Sequence, residues 1–360
     1  MTIARSYNFC SGPAMLPTEV LQQAQAELLN FQGQGSSVME MSHRGEIFQQ
    51  VHAQAKADLA ELLALPADYE ILFLQGGATA QFSQLAMNLL QDKADYIVTG
   101  QWGNKAVKAA KAYGQVNIAA STQSENFLRA PTQAELNLDP DASYVHYTPN
   151  ETIGGVEFNY VPQTGAVPLI GDFSSTILSR PLDVSQFGMI YAGAQKNIGP
   201  SGLVVVIIRK DLLARQAHAM PELFSYAAQQ QNDSMINTPP TFGIYLAGLV
   251  FQWLKRQGGL SAMAEHNQSK AEALYRFIDG HDFYHNPIAH DSRSWMNVPF
   301  TLADASLEKE FLRQSEAAGL HTLAGHRSVG GMRASIYNAM PRAGIDALTA
   351  FMADFAKRMG

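Results

Sequence analysis

Apolar residues recur along the chain in two distinct patterns. Stretches at residues 70–75, 94–99, 144–147, 167–171, 189–192 and 203–208 are short, rich in Ile, Val, Leu, Phe and Tyr, and continuous rather than alternating. That is the pattern of strands buried on both faces. Helical spacing governs residues 18–31, 46–63, 242–257 and 344–359. Between residues 70 and 210 the order reads strand, helix, strand, helix, repeated, which predicts an α/β fold with a mostly parallel sheet covered on both sides. Later strands are expected around 294–299 and 333–337. Residues 232–241 read as an extended polar loop, because Pro239 and Pro240 prevent helix. Gly258 and Gly259 mark a plausible domain boundary. No internal repeat or low-complexity segment interrupts this order.

Composition narrows the class. With 360 residues the chain exceeds one ordinary core, so two domains, or one large domain with an appendage, are expected. Hydrophobic residues make up 46% and charged residues 16%, which suits a globular enzyme and not a disordered chain. A net charge of −7 with no long basic block argues against nucleic acid or an anionic membrane as partner. Cys10 is the only cysteine, which excludes an internal disulfide and a cysteine-based zinc cluster. No metal is expected at the site. The first residues lack an apolar signal core and no apolar run is long enough to span a bilayer, so the cytoplasm is the expected location.

Candidate chemistry concentrates at the predicted strand ends. Met189-Ile-Tyr-Ala-Gly-Ala-Gln-Lys-Asn-Ile-Gly-Pro-Ser-Gly202 carries Lys196 on a glycine-flanked loop between two strands, open to close approach by a flat ligand. A Schiff-base lysine and a solvated loop lysine both fit that placement. Upstream, Val167-Pro-Leu-Ile-Gly-Asp-Phe-Ser-Ser175 ends an apolar run on Asp172, which is either a site carboxylate or a helix N-cap. Together the two suit pyridoxal phosphate chemistry, with the acid on the pyridinium nitrogen and the lysine on the aldehyde.

Further candidates surround this pair. Gly76-Gly-Ala-Thr79 follows a strand and opens a helix, where Ala78 and Thr79 can present free N–H groups to a phosphate. Trp102 is expected at the end of the next strand, placed either to stack on a ring or to fill core. Thr148, Asn150 and Thr152 sit at another strand end. His43 and Arg44 stand side by side before a helix, and His326, Arg327 and Arg333 lie within a few residues of one another. Both groups suit an anionic ligand as well as solvated surface. Arg333, in an apolar strand, needs an acidic partner.

Seven stretches resemble the phosphoserine aminotransferases and span nearly the whole chain: the arm at residues 8–17, Met41-Ser-His-Arg-Gly45, Gln75-Gly-Gly-Ala78, residues 171–180, Ala192-Gly-Ala-Gln-Lys-Asn-Ile-Gly-Pro200, Asn237-Thr-Pro-Pro240 and residues 330–340. The resemblance implies the pyridoxal-phosphate transferase fold of type I, an α/β fold whose mostly parallel central sheet is sandwiched by helices, with a smaller α+β domain. Residues 16–257 would form the large cofactor-binding domain, and residues 1–15 with 258–360 the small one. By the same resemblance Lys196 carries the cofactor, Asp172 pairs with its ring nitrogen and Trp102 stacks on the ring. Thr152 and Gln195 hydrogen-bond it, while Ala78 and Thr79 hold its phosphate together with Asn237 and Thr238 from the second subunit of a homodimer. Arg333 would take a substrate α-carboxylate, and Ser11 would also bind substrate. His43 and Arg44, reaching across the dimer interface, would join His326 and Arg327 on the phosphate of phosphoserine or the distal carboxylate of glutamate.

The implied reaction exchanges an amino group between O-phosphoserine with 2-oxoglutarate and 3-phosphohydroxypyruvate with glutamate, in serine biosynthesis. 4-Phosphohydroxy-L-threonine of pyridoxine biosynthesis is a further substrate of that pattern. Two rivals remain: another aminotransferase or a cysteine desulfurase of the same fold type, and a non-catalytic binder that keeps the cofactor fold. The doubled His-Arg pairs weigh against the first, since a small uncharged side chain would leave that pocket unpaired. Lys196, Asp172 and Trp102, all intact, weigh against the second.

Overall fold

The computed structural model describes residues 5–360. Residues 1–4, on which the reading of the signal-free N-terminus and the start of the 1–15 segment partly fall, lie outside the described residues.

A seven-stranded sheet organises the first two thirds of the chain. Its order is Tyr69–Gln75, Leu203–Arg209, Met189–Gly193, Leu169–Asp172, Val145–Tyr147, Lys93–Val98 and Gln115–Ser121. Leu203–Arg209 runs antiparallel to both neighbours, whereas all other pairs are parallel. Residues 204 to 208 are each 0% exposed, which is why this stretch is continuously apolar. Val204, Val206 and Ile208 pack on one side, with Phe82 and Leu85 of the helix Gly77–Leu89 and Val107 of Gln101–Ala110. Leu203, Val205 and Ile207 pack on the other, with Phe48 and Leu59 of Glu46–Leu62 and Ile244 and Phe251 of Thr241–Arg256.

Three sequence expectations need correction. The strand–helix alternation holds only as far as residue 121. Beyond it, Val145–Tyr147, Leu169–Asp172, Met189–Gly193 and Leu203–Arg209 are joined by turns, short hairpin strands and 3-10 segments, with no α-helix between them. Six prolines between 131 and 181 explain this, since each removes a donor and blocks helix at its position. Trp102 is also not at a strand end: the strand stops at Val98, and Trp102 is the second residue of the helix Gln101–Ala110. The helix expected to reach residue 31 spans Thr18–Glu27, because the chain beyond it breaks at left-handed Gln32, Gly33 and Gly35.

A separate apolar cluster lies beyond Gly258 and Gly259, both at positive φ where a helix starts afresh. It gathers Leu274 and Ile278 of Gly259–Asp279, Val298 and Phe300 of the strand Asn297–Leu302, and Leu348, Met352 and Phe355 of Arg342–Met359. The N-terminal arm reaches this body: Tyr7–Asn8 pairs in parallel with Leu320–His321, and Phe9 joins its core. No helix among the described residues is long and apolar enough to cross a membrane.

One buried lysine ties down the turn that links this body to the site. Lys270 is 0% exposed, and its Nζ donates to the carbonyls of Tyr337 at 2.7 Å, Ile336 at 2.9 Å and Met340 at 3.0 Å. The charged ammonium carries three N–H donors, one for each carbonyl left over by the end of the strand, against the burial that lowers its proton affinity. Lys270→Met keeps the length and removes every donor. It is expected to cost on the order of 3 kcal/mol of unfolding free energy, read from urea denaturation; an unchanged midpoint and slope would mean that these carbonyls find other partners.

Candidate active site

Parallel strands deliver their carboxyl ends to one edge of the sheet, and a cavity of about 320 Å³ opens there. Asp172 is the last residue of its strand, and Gly193 the last of the next. Because the following strand returns antiparallel, residues 194–202 form a short connection that turns back over the same edge, and Lys196 lies on it. Ala78, Thr79, Trp102, Thr152, Asp172, Gln195 and Lys196 all line the cavity.

Lys196 is 9% exposed, and its Nζ donates to Thr152 Oγ1 at 2.6 Å. Burial pulls the amine down to about 8, while the nearby Asp172 and Glu151 carboxylates push it up and Arg333 pushes it down. Near neutral pH a usable fraction is therefore the free, nucleophilic amine. Burial raises the Asp172 carboxyl, opposed first by its hydrogen bond from Ser174 Oγ and then by the charge of Lys196. Ser174 gives Asp172 Oδ1 both its hydroxyl, at 2.6 Å, and its N–H, at 3.0 Å, and accepts from Gly193 N at 3.0 Å. Both protein hydrogen bonds fall on one carboxylate oxygen, and the other has no partner among the described residues.

Two further features point to a ligand. The 13-residue helix Gly77–Leu89 starts from Gly76 at φ +92° with no side-chain cap, so its first N–H groups face the cavity edge unpaired. Trp102 Nε1, Thr148 Oγ1 and Asn150 Oδ1 are buried without a partner, and all three residues line the cavity. Buried polar atoms are normally satisfied, so a polar molecule in this space would complete them.

Arg333 stands beside the cavity, 8% exposed. Its Nη2 donates to Ser11 Oγ at 2.8 Å and its Nη1 to the Thr152 carbonyl at 3.3 Å, while Nε has no partner. Thr152 thus joins the arginine through its carbonyl and the lysine through its hydroxyl. The acidic partner expected for Arg333 is not supplied by the protein: no carboxylate among the described residues pairs with it. Burial lowers the affinity of this guanidinium for its proton, and an anionic ligand would restore it. His326 and Arg327 sit on a loop that does not line the cavity, His326 half-buried and Arg327 exposed; partial burial first, and then the charges of Arg333, Arg327 and Lys105, lower the proton affinity of the imidazole.

Four candidates stand elsewhere within one chain. His43 and Arg44 are not part of the cavity lining; Arg44 Nε lies 3.4 Å from His43 Nε2. Asn237 lines a different, smaller cavity, and Thr238 offers its carbonyl to Gln75 Nε2 at 3.4 Å. Conversely, Ser174 and Glu151 escaped the sequence reading. Ser174 follows Asp172 as a possible Asx-type partner, a weak signal, while Glu151 was legible only as a carboxylate amid hydroxyls and amides.

The family model described as aminotransferase class-V matches residues 6–348. A phosphoserine aminotransferase of Ectopseudomonas mendocina is 58% identical over 355 residues, covering 98% of each chain. The solved phosphoserine aminotransferase of Bacillus circulans subsp. alkalophilus superposes with a TM-score of 0.97 at 49% identity and 99% coverage of both chains. A phosphoserine aminotransferase from Trichomonas vaginalis, solved with pyridoxal phosphate bound, gives 0.93 at 41% identity, covering 97% of this chain and 100% of its own.

The lysine environment is directly measurable. In cofactor-free protein, the rate at which Lys196 is acylated by a small reagent should rise with pH around a midpoint of about 8. Thr152→Val should move that midpoint down by roughly one unit, because the hydroxyl accepts from the charged ammonium and its loss disfavours that form. An upward move would mean that the hydroxyl donates to the amine instead.

Proposed function

Because the chain belongs to the class-V aminotransferases, we propose that it exchanges an amino group between O-phospho-L-serine with 2-oxoglutarate and 3-phosphohydroxypyruvate with L-glutamate, using pyridoxal 5′-phosphate, in serine biosynthesis. The observation that carries this reading is 58% identity over 98% of a phosphoserine aminotransferase, joined to a buried lysine and carboxylate on one cavity. 4-Phosphohydroxy-L-threonine presents the same amine, carboxylate and phosphate, and is a further substrate on this reading.

The residues present fit the cofactor. An uncapped helix N-terminus suits its phosphate, a buried carboxylate with one unpartnered oxygen suits a protonated ring nitrogen, and three orphaned polar atoms on the wall suit its substituents. When bound, pyridoxal phosphate supplies an aldehyde that takes up an amino nitrogen and a ring that accepts the electrons released at the α-carbon.

The protein's own groups do the remaining work. Ala78 and Thr79 hold the phosphate through backbone N–H groups, with Asn237 and Thr238 contributed by the second subunit of a homodimer. Asp172 keeps a proton on the ring nitrogen. Thr152, Gln195 and Trp102 line the cavity, where the first two would hydrogen-bond the cofactor and the indole would pack on its ring. Lys196 would hold the cofactor through its aldehyde, and its amine, once free, would move the proton at the substrate α-carbon, first as base and then as acid. Thr152 keeps its Nζ aimed, and burial keeps its proton affinity near the working pH.

Arg333, with Ser11 beside it, takes the α-carboxylate as the acid its environment lacks. His326 and Arg327, with His43 and Arg44 of the second subunit, take the phosphate or the distal carboxylate of glutamate. On this reading residues 16–257 are the cofactor-holding domain, 1–15 and 258–360 the smaller one, and the enzyme works in the cytoplasm.

Steady-state kinetics with paired substrates test these roles. Lys196→Ala should abolish turnover, and measurable turnover in cofactor-loaded variant would remove the lysine from the reaction. Arg333→Ala should weaken every amino acid substrate. Arg327→Ala should reduce kcat/KM for O-phosphoserine by roughly 10- to 100-fold while leaving serine little changed, the worth of one charge-assisted contact; equal losses for both would contradict the phosphate assignment.

A further inference from the structure

Glu151 is 0% exposed and sits one residue from Thr152, yet none of the roles above uses it. Its Oε1 accepts from Gly103 N at 2.7 Å and its Oε2 from Trp102 N at 3.1 Å. Both oxygens therefore fall on the first turn of the helix Gln101–Ala110. No lysine or arginine among the described residues pairs with it, so these two N–H groups and the positive end of the helix are what hold a buried carboxylate there.

The arrangement replaces an ordinary cap. The residue before the helix is Gly100, which has no side chain to cap with, and its φ of 171° is extended backbone that any residue adopts. Space makes it glycine: a Cβ there would lie 2.4 Å from Glu151 Cδ. The carboxylate arrives from a rigid support, since Asn150–Glu151 pairs antiparallel with Val156–Glu157 and Asn150 Nδ2 donates to Ser175 Oγ and Asn297 Oδ1, both at 2.9 Å.

Trp102, by contrast, has little of its own to fix it. Its Nε1 is unpartnered, Phe82 lies at a tilted 6.5 Å between ring centroids, and Lys105 Nζ stands 4.1 Å from the ring centroid. The backbone clamp is the firmest hold on the residue.

We propose that Glu151 is a positioning residue: by clamping the first turn of the helix Gln101–Ala110 to the hairpin that delivers Thr152, it sets the Trp102 indole and the Lys196 contact in one frame. The inference rests on the aminotransferase reading for the purpose of that frame, though not for the clamp itself. The carboxylate also lies within electrostatic reach of Asp172 and Lys196, and burial, its largest influence, raises it to about 7.

Fluorotryptophan-labelled protein tests this, because the chain has three tryptophans and the Trp102 resonance is identified by its loss in Trp102→Phe. Glu151→Gln keeps the shape but turns an amide N–H₂ toward a backbone donor. In cofactor-free protein it should move the Trp102 fluorine resonance and leave Trp253 and Trp295 in place. It should also weaken pyridoxal phosphate binding by about tenfold, one charge-assisted hydrogen bond, and that loss should vanish in a Trp102→Phe background. An unmoved Trp102 resonance, or a tenfold loss that persists without Trp102, would overturn the proposal. Should Glu151→Gln not fold, Gly100→Ala displaces the same carboxylate from the other side and must move the same resonance. If the unmodified protein binds no pyridoxal phosphate, the functional reading falls, while the resonance in cofactor-free protein still decides the role of Glu151.

Discussion

Lys196 keeps 9% of its surface in water, and burying an ammonium that deeply costs more than one hydroxyl returns. The rest of the site is arranged around that imbalance. Asp172 and Glu151 supply negative charge from two sides, Arg333 supplies positive charge from a third, and burial dominates all three. The outcome is an amine poised near neutrality instead of one fixed as a cation. Thr152 is the joint: its hydroxyl meets the lysine and its carbonyl the arginine, so both basic side chains share one residue.

The fold supplies this geometry through one departure from a parallel sheet. Had Leu203–Arg209 run parallel to its neighbour, the chain after Gly193 would have crossed to the far edge and carried Lys196 away from Asp172. Antiparallel return keeps residues 194–202 over the carboxyl ends of the strands. The other body is fastened to the same loop. Asn338 N donates to Asn197 Oδ1 at 3.1 Å. Lys270 holds that turn from behind, through the carbonyls of Ile336 and Tyr337.

Much of this was legible in the chain. Continuous apolar runs marked the buried strands, and Asp172 and Lys196 were placed at their ends because an acid or a lysine that closes such a run must emerge at the sheet edge. The helix N-terminus at Ala78 and Thr79 followed from its glycines. What escaped depended on partners distant in sequence. Trp102 was misplaced on a strand because Thr99 and Gly100 do not announce a helix whose cap, Glu151, comes about fifty residues later. The helices expected between strands beyond residue 121 failed because periodicity within each segment could not weigh the prolines that divide it. His43, Arg44, Asn237 and Thr238 stand outside the cavity of their own chain, and nothing local in a sequence tells whether such residues serve a neighbouring subunit.

If Lys196, Asp172, Arg333 and Arg327 form one aminotransferase site tuned to a phosphorylated amino acid, the cofactor must respond differently to O-phosphoserine and to serine. Absorption spectroscopy tests it most directly: protein loaded with pyridoxal phosphate is titrated with O-phosphoserine and, separately, with serine, with no keto acid present. The visible band of the lysine-linked cofactor should be lost at O-phosphoserine concentrations where serine leaves it intact. Loss of the band at equal concentrations of both amino acids would contradict the tuning, and a protein that takes up no cofactor would contradict the site itself.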